Sequence, residues 1–140
     1  MNIPIAVYSE ACMTPGMDLV ALYGCLCDRT RLRIVHLLLE GPLCVHHVQA
    51  ALEEPQVKVS KHLGYLRRAG MVSAERCANM MVYRLTPKPS KALRAHLACL
   101  QECVREDASF RADRARLRKL RRSFGSDTPE CVRDPAAGCA

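Results

Sequence analysis

Residues 54–72 read EPQVKVSKHLGYLRRAGMV, and the two faces of this stretch decide the architecture. Val59, Leu63 and Leu66 recur at helical spacing, so one face packs against a core. On the other face Lys58, Lys61, His62, Tyr65 and Arg68 lie at offsets of three and four, which gathers cations and hydrogen-bonding groups on one side. Pro55 precedes the pattern and Ala69-Gly70 ends it, predicting a helix from about 57 to 69. A surface helix with solvated charges shows the same two faces, so the flanking elements must decide between solvation and recognition.

Upstream, residues 17–27 (MDLVALYGCLC) form a short apolar helical pattern. Asp28 supplies an N-cap for TRLRIVHLLLE, whose Leu32, Val35, Leu38 and Leu39 repeat at helical spacing until Gly41-Pro42 stops them. A third helix is expected from about 44 to 53, with Val45, Val48 and Leu52 on one face and Glu54-Pro55 at its end. Downstream the period changes. MVSAERC and MMVYRL are β-prone runs separated by Ala78-Asn79, which predicts a hairpin over 72–85 closed by Thr86-Pro87. After Pro89-Ser90, Leu93, Leu97, Leu100 and Val104 form one stripe of a helix that continues toward Arg122 with a break near Ser109. A stripe of that length with no further core to cover points to a helix paired with a second copy. The expected fold is therefore mainly α with a small β-hairpin.

Composition agrees with that class. The chain has 140 residues and 49% apolar content, enough for one domain with a modest core. With four Tyr, two Phe and no Trp, the core must be aliphatic, which suits packed helices. The expected organisation is an arm at 1–16, a domain at 17–105, a basic helical extension at 106–124 and a disordered tail at 125–140. MNIPIAVYSE lacks the charge and apolar run of a signal peptide, and 18 consecutive apolar residues occur nowhere, so a cytoplasmic chain with no membrane partner is expected. The net charge is +7, and residues 111–122 (RADRARLRKLRR) hold seven basic residues against one acidic. Such a balance fits nucleic acid, an anionic membrane surface or a solvated helix. Nine cysteines in a reducing compartment point to metal, metalloid or redox chemistry rather than disulfides.

With the elements in this order, the chain resembles the winged helix-turn-helix repressors of the ArsR/SmtB metal-sensing family over roughly residues 17–105. ALYGCLCDRTRLRIVHLLLEGPLCV, EPQVKVSKHLGYLRRAGMV and VYRL carry the resemblance, with Ser60, His62, Leu63, Leu66, Ala69 and Gly70 in register. It implies a winged helix-turn-helix that dimerises through its terminal helices and binds inverted-repeat, double-stranded operator DNA. The two recognition helices of a homodimer would then sit about one DNA turn, roughly 34 Å, apart. It also implies that Gln56, Lys58, Ser60, Lys61, His62 and Tyr65 face DNA, with Arg76 and Arg84 on the wing. Two positions depart from the family: Arg29 stands where Pro is usual, and the wing tip Ala78-Asn79 lacks the usual Gly.

Four groups of soft donors compete for an inducer. At 44–47 (CVHH) the family's arsenic and cadmium sensors carry ELCVCDL, whereas this chain keeps Cys44 and places His46 and His47 at the following positions. On a regular helix positions 44 and 46 lie about 200° apart and 44 and 47 about 60° apart, so His46 joins Cys44 only if the helix starts at or after the thiol. Cys12 on the arm resembles cysteines that complete such a site from a partner. His96, Cys99 and Cys103 share one helix face, where two thiols plus a third would suit trivalent arsenic. Cys25 and Cys27 lie among the packed helices, while Cys77, Cys131 and Cys139 read as surface thiols. The candidate metal ligands are Cys44, His46, Cys12, Cys99 and Cys103.

The resulting expectation is a metal(loid)-responsive repressor, not an enzyme, released from DNA when arsenite or antimonite binds cysteine thiolates, with no organic cofactor. The same fold sensing a soft divalent metal (Cd, Zn, Pb), thiol oxidation or a persulfide is the alternative. A small Cys-dependent thiol enzyme is a distant third, because no CxxC lies beside a βαβ pattern.

Overall fold

A computed structural model of the chain describes residues 17–125 and 128–133. Among these, the order is α1 (Leu19–Leu26), α2 (Arg29–Leu38), β1 (Leu43–Cys44), α3 (Val45–Leu52), α4 (Gln56–Arg68), β2 (Val72–Cys77), β3 (Met80–Leu85), α5 (Lys91–Cys103), α6 (Ala108–Arg121) and α7 (Glu130–Arg133). Four helices start at polar caps: the side chains of Asp18, Asp28, Ser90 and Asp107 each accept a backbone N–H of the first turn. Between α3 and α4, Glu53 takes a left-handed conformation at φ 56° and turns the chain without a glycine. Gly70, at φ 84°, ends α4 and delivers the chain to β2.

β2 and β3 form the expected hairpin, paired from Val72↔Leu85 to Cys77↔Met80. Its tip closes on Ala78 and Asn79 with φ of 50° and 31°, the double positive pattern of a two-residue type I′ turn. Asn visits that region readily and Ala only at a steric cost, and the tip adopts the geometry without its usual glycine. The sheet has a third strand that periodicity did not reveal, since β1 pairs with β3 through Leu43↔Tyr83 and Cys44↔Val82.

Leu93, Leu97, Leu100 and Val104 do not wait for a second copy. All four are buried in the chain's own core, which corrects the premise that no further core was left to cover. What covers it includes α6. The segment expected as a basic extension breaks at Asp107 and then packs against α2 and α3, burying Phe110, Asp113 and Leu117 while Arg111, Arg114, Arg118 and Arg122 are exposed. Arg29, the departure from the family's Pro, reaches the α6 N-terminus, donating to Asp107 at 3.1 Å and to Ser109, with its guanidinium 5.5 Å from the Phe110 ring centre. The Ser109 hydroxyl and Arg29 hold the Asp107 carboxyl down to about 2 against some desolvation. Part of the tail expected to be disordered is ordered as well: residues 130–133 form α7 and Val132 is fully buried. The arm at 1–16, and with it Cys12, lies outside the described residues.

A buried ion pair locks α6 to the rest. Arg33 of α2 donates from Nε and Nη2 to the two carboxylate oxygens of Asp113 at 2.8 and 2.7 Å, and Nη2 also reaches the Leu52 carbonyl at 2.9 Å. From α6, Arg116 donates to Asp113 at 2.8 Å and to the Ala51 carbonyl at 2.6 Å. The last carbonyls of α3, left without helical partners, are thus satisfied by guanidiniums from two other helices.

If α6 belongs to the core, Leu117→Ala should destabilise the chain by about 2–5 kcal/mol, read from urea unfolding, because Leu117 is only 1% exposed. A cost under about 0.5 kcal/mol would mean that the helix is an appendage.

Candidate functional site

α4 presents Gln56, Lys58, Ser60 and Lys61 to solvent, while Val59, Leu63 and Leu66 are buried beneath them. Lys58 is partly engaged by Glu54 at 3.1 Å. His62 and Tyr65, expected on the same outward face, turn partly inward toward a residue that the sequence reading passed over. Arg31 of α2 lies over the Tyr65 ring at 4.1 Å, donates to His62 Nδ1 at 3.3 Å and donates to the Gly24 carbonyl at 3.0 Å. Because an arginine only donates, His62 Nδ1 accepts and the ring proton sits on Nε2. Burial first, and then the neighbouring Arg31, Lys58 and Lys61, lower the His62 pKa against the opposing pull of Asp28.

Gly24 lies at this junction. A Cβ there would lie 2.8 Å from the Tyr65 hydroxyl, so a larger residue would displace the far end of the Tyr65 side chain. On the wing Arg76 is exposed, and Arg84 is half-buried with Glu75 at 3.6 Å.

The candidate thiols separate into two environments. Cys44 caps α3 in an extended conformation, so the helix does begin just after it, but the thiol turns into the sheet. It is 1% exposed and its Sγ donates to the Met80 sulfur at 3.7 Å. Burial, reinforced by Cys77, pushes its pKa up to about 11. His46 is exposed, and His47 is buried with its ring centre 4.3 Å from that of Phe124. Cys77, read as a surface thiol, is half-buried and packs against the core. Cys25 is fully buried, whereas Cys27 is exposed and donates to the Gly24 carbonyl.

On α5 the arrangement differs. Cys99 and Cys103 are both exposed with their sulfurs 3.7 Å apart, and the shared hydrogen bond with Cys99 raises the Cys103 pKa. His96 does not join them: its Nε2 meets the Tyr23 hydroxyl at 2.9 Å and its Nδ1 the Ala92 carbonyl at 2.8 Å. Since a carbonyl only accepts, Nδ1 carries the proton and Tyr23 donates to Nε2. Among the described residues no group of three or more His, Cys, Asp or Glu is arranged to hold a metal ion. Two thiols in contact are what α5 offers.

A four-helix reading unit closed by a two-stranded wing, with a cationic helix outermost, is the architecture of a winged helix-turn-helix regulator. Residues 28–74 match the model of the family described as bacterial regulatory protein, arsR family. The chain is 43% identical over 68 residues to an arsenic resistance transcriptional regulator of Pseudomonas putida, covering 48% of this chain and 53% of that one. It thus spans about half the length of that curated relative. Among solved structures, HlyU from Vibrio cholerae is similar with a TM-score of 0.54 and 31% identity, over 60% of this chain and 88% of that one. The AntR antimony-specific transcriptional repressor is similar with a TM-score of 0.52 and 33% identity, over 64% and 78% respectively. The chain belongs to the arsR family of transcriptional regulators and not to a family of thiol enzymes.

Thiol burial makes a direct prediction. Under limiting iodoacetamide at pH 8, peptide mass spectrometry should find Cys27, Cys99 and Cys103 alkylated well before Cys25 and Cys44, because reaction needs an accessible thiolate. Labelling of Cys44 as fast as Cys99 would contradict the buried position of the α3 cap.

Proposed function

We propose that the chain is a cytoplasmic, homodimeric repressor that binds inverted-repeat operator DNA and releases it when arsenite or antimonite binds the thiolates of Cys99 and Cys103. The observation that carries this reading is the 3.7 Å contact between two exposed sulfurs one helical turn apart. Trivalent arsenic and antimony are thiophilic, and sulfurs already in contact on a rigid helix need little rearrangement to bridge one ion. Cys44 is a weaker anchor, because its proton is held by burial and its sulfur is enclosed beside Met80. With His46 exposed beyond the helix cap, a site there requires α3 to open. Cys12 is a candidate third ligand from the arm. The resemblance to the Pseudomonas putida arsenic regulator and to the antimony-specific repressor supports the inducer class.

Dimerisation is assigned to the outer faces of α1 and α5. Among the described residues, Val20 and Tyr23 of α1 are the large apolar side chains exposed outside α4, and Tyr23 packs edge-on against His96 of α5 at 5.2 Å. DNA is assigned to Gln56, Lys58, Ser60 and Lys61 of α4 and to Arg76, with His62 and Tyr65 set in place by Arg31 and Arg84 at the base of the wing. Signal transfer follows from contiguous contacts. Cys99 lies three residues from His96, which holds Tyr23 on α1, and α1 meets Tyr65 of α4 at Gly24. A shift of α5 on binding an ion moves α1, and α1 presses on the reading helix. A coupling of about 1–3 kcal/mol, or 5- to 150-fold in DNA affinity, is typical of such devices.

The same contact favours a second reading. Peroxide can oxidise Cys99 and Cys103 to a disulfide, the two thiols losing two protons and two electrons as peroxide is reduced to water. Intact-mass analysis after peroxide, compared with arsenite-induced thiolate absorbance, separates the two signals.

Fluorescence anisotropy with operator duplex at constant salt tests the main reading. Arsenite should weaken binding by the wild type about 5- to 150-fold, leave Cys99→Ser/Cys103→Ser bound, and still release Cys44→Ser. Full release of the double variant would remove α5 as the sensing site, and absence of specific duplex binding would sink the repressor itself.

A further inference from the structure

Where α2 ends and α5 turns into α6, the surface folds into a cavity of about 350 Å3. Arg105, Arg111, Arg114 and Arg118 line it with His36 and Gln101. A second, adjoining hollow shares His36, Gln101, Arg105 and Arg114 and adds the carboxylates of Glu40 and Glu102. Glu40 pairs with Arg114, and Glu102 pairs with Arg105 at 3.2 Å. Four guanidiniums against two carboxylates leave a surplus of two positive charges, carried by Arg111 and Arg118. Both are exposed, and neither has an ion-pair or hydrogen-bond partner among the described residues.

His36 is nine-tenths buried, edge-on to the Phe110 ring at 5.3 Å, and its Nδ1 has no hydrogen-bond partner among the described residues. A buried imidazole nitrogen without a partner is costly, and so is like charge gathered on one concave wall. An anion in the cavity offsets the gathered charge beside this imidazole.

We propose that this cavity binds the phosphate of a small phosphate monoester, with Arg111 and Arg118 supplying the matching charge and His36 and Gln101 as further donors. A phosphate monoester carries about −1.5 to −2 charges at pH 7, which matches the surplus, and guanidiniums bind phosphate through paired N–H groups. Size argues for an ester rather than the bare ion. The cavity holds about ten times the share of one water molecule in the liquid, roughly 30 Å3, and Val104 and Ala115 give it apolar wall for the rest of the molecule. Position argues against a DNA phosphate. The reading face meets α2 at Arg31, in its first turn, whereas the cavity meets it at His36, in its last, and the adjoining hollow at Leu39 and Glu40, beyond it. Thiol sensing on α5 does not enter this proposal, and either stands without the other.

Calorimetric titration of the full chain in phosphate-free buffer with phenyl phosphate, inorganic phosphate and operator duplex tests it. Arg111→Gln/Arg118→Gln removes the two unpaired charges, and Lys88→Gln/Lys91→Gln removes two exposed charges elsewhere. All four side chains are exposed, so both variants should keep the wild-type circular dichroism spectrum. Phenyl phosphate is expected to bind the wild type and the lysine variant alike, about tenfold or more weaker to the arginine variant, and more tightly than inorganic phosphate. Equal weakening in both variants, or no heat up to about 10 mM ligand, overturns the site. Inorganic phosphate binding as tightly as phenyl phosphate overturns the ester. Loss of duplex affinity in the arginine variant without phenyl phosphate binding to the wild type reassigns the arginines to the DNA backbone.

Discussion

The buried pair between Arg33 and Asp113 sets the geometry on which the reading helix depends. Asp113 is fully enclosed and accepts from Arg33 through both oxygens and from Arg116 through one. Those two arginines in turn hold the Ala51 and Leu52 carbonyls at the end of α3, and Arg33 also meets Glu54 at 3.4 Å, just ahead of α4. The turn between α3 and α4 has no glycine and rests on Glu53 in a left-handed conformation. Its angle is held from behind, by side chains of α2 and α6, rather than by the turn's own residues. A buried pair adds modest net stability while both partners are present, but leaving one unpaired costs about 3–5 kcal/mol. The network therefore specifies where α4 points more than it strengthens the fold.

α2 connects two chemistries at its opposite ends. In its first turn Arg31 orders Tyr65 and His62 behind the cationic face of α4. In its last turn His36 borders the arginine-lined cavity, and just beyond it Glu40 borders the adjoining hollow. Between them Arg33 binds the turn that leads into α4. α2 is itself packed against α4, so both ends of this helix border the element that carries the reading face.

The reading helix was legible because its two faces differ in chemistry at the same 3.6-residue period, so Val59, Leu63 and Leu66 separate cleanly from Lys58, Lys61 and Tyr65. The hairpin was legible from its change of period. α6 was not, because Phe110 and Leu117 are diluted by seven basic residues between 111 and 122, and net charge masked a seven-residue apolar spacing. β1 is two residues long, too short to carry a period, and its pairing with β3 is what turns Cys44 inward. Helical phase located Cys44 against His46 and His47, yet the thiol's direction is set by a strand 36 residues away, at Met80. Arg31 was not legible, since its role exists only once α1, α2 and α4 are packed. The α5 thiols were legible as a pair because a single helix fixes i and i+4 as neighbours.

Hydrogen-exchange mass spectrometry of Asp113→Asn against the wild type tests the controlling role of the buried network most directly. The substitution keeps the volume and removes the charge that both arginines share. Loss of protection is expected in α3 and the first turn of α4, with the β2–β3 hairpin unchanged. Unchanged exchange in α3 and α4, or a uniform loss across the whole chain, would contradict the view that α6 and α2 hold the reading helix in position.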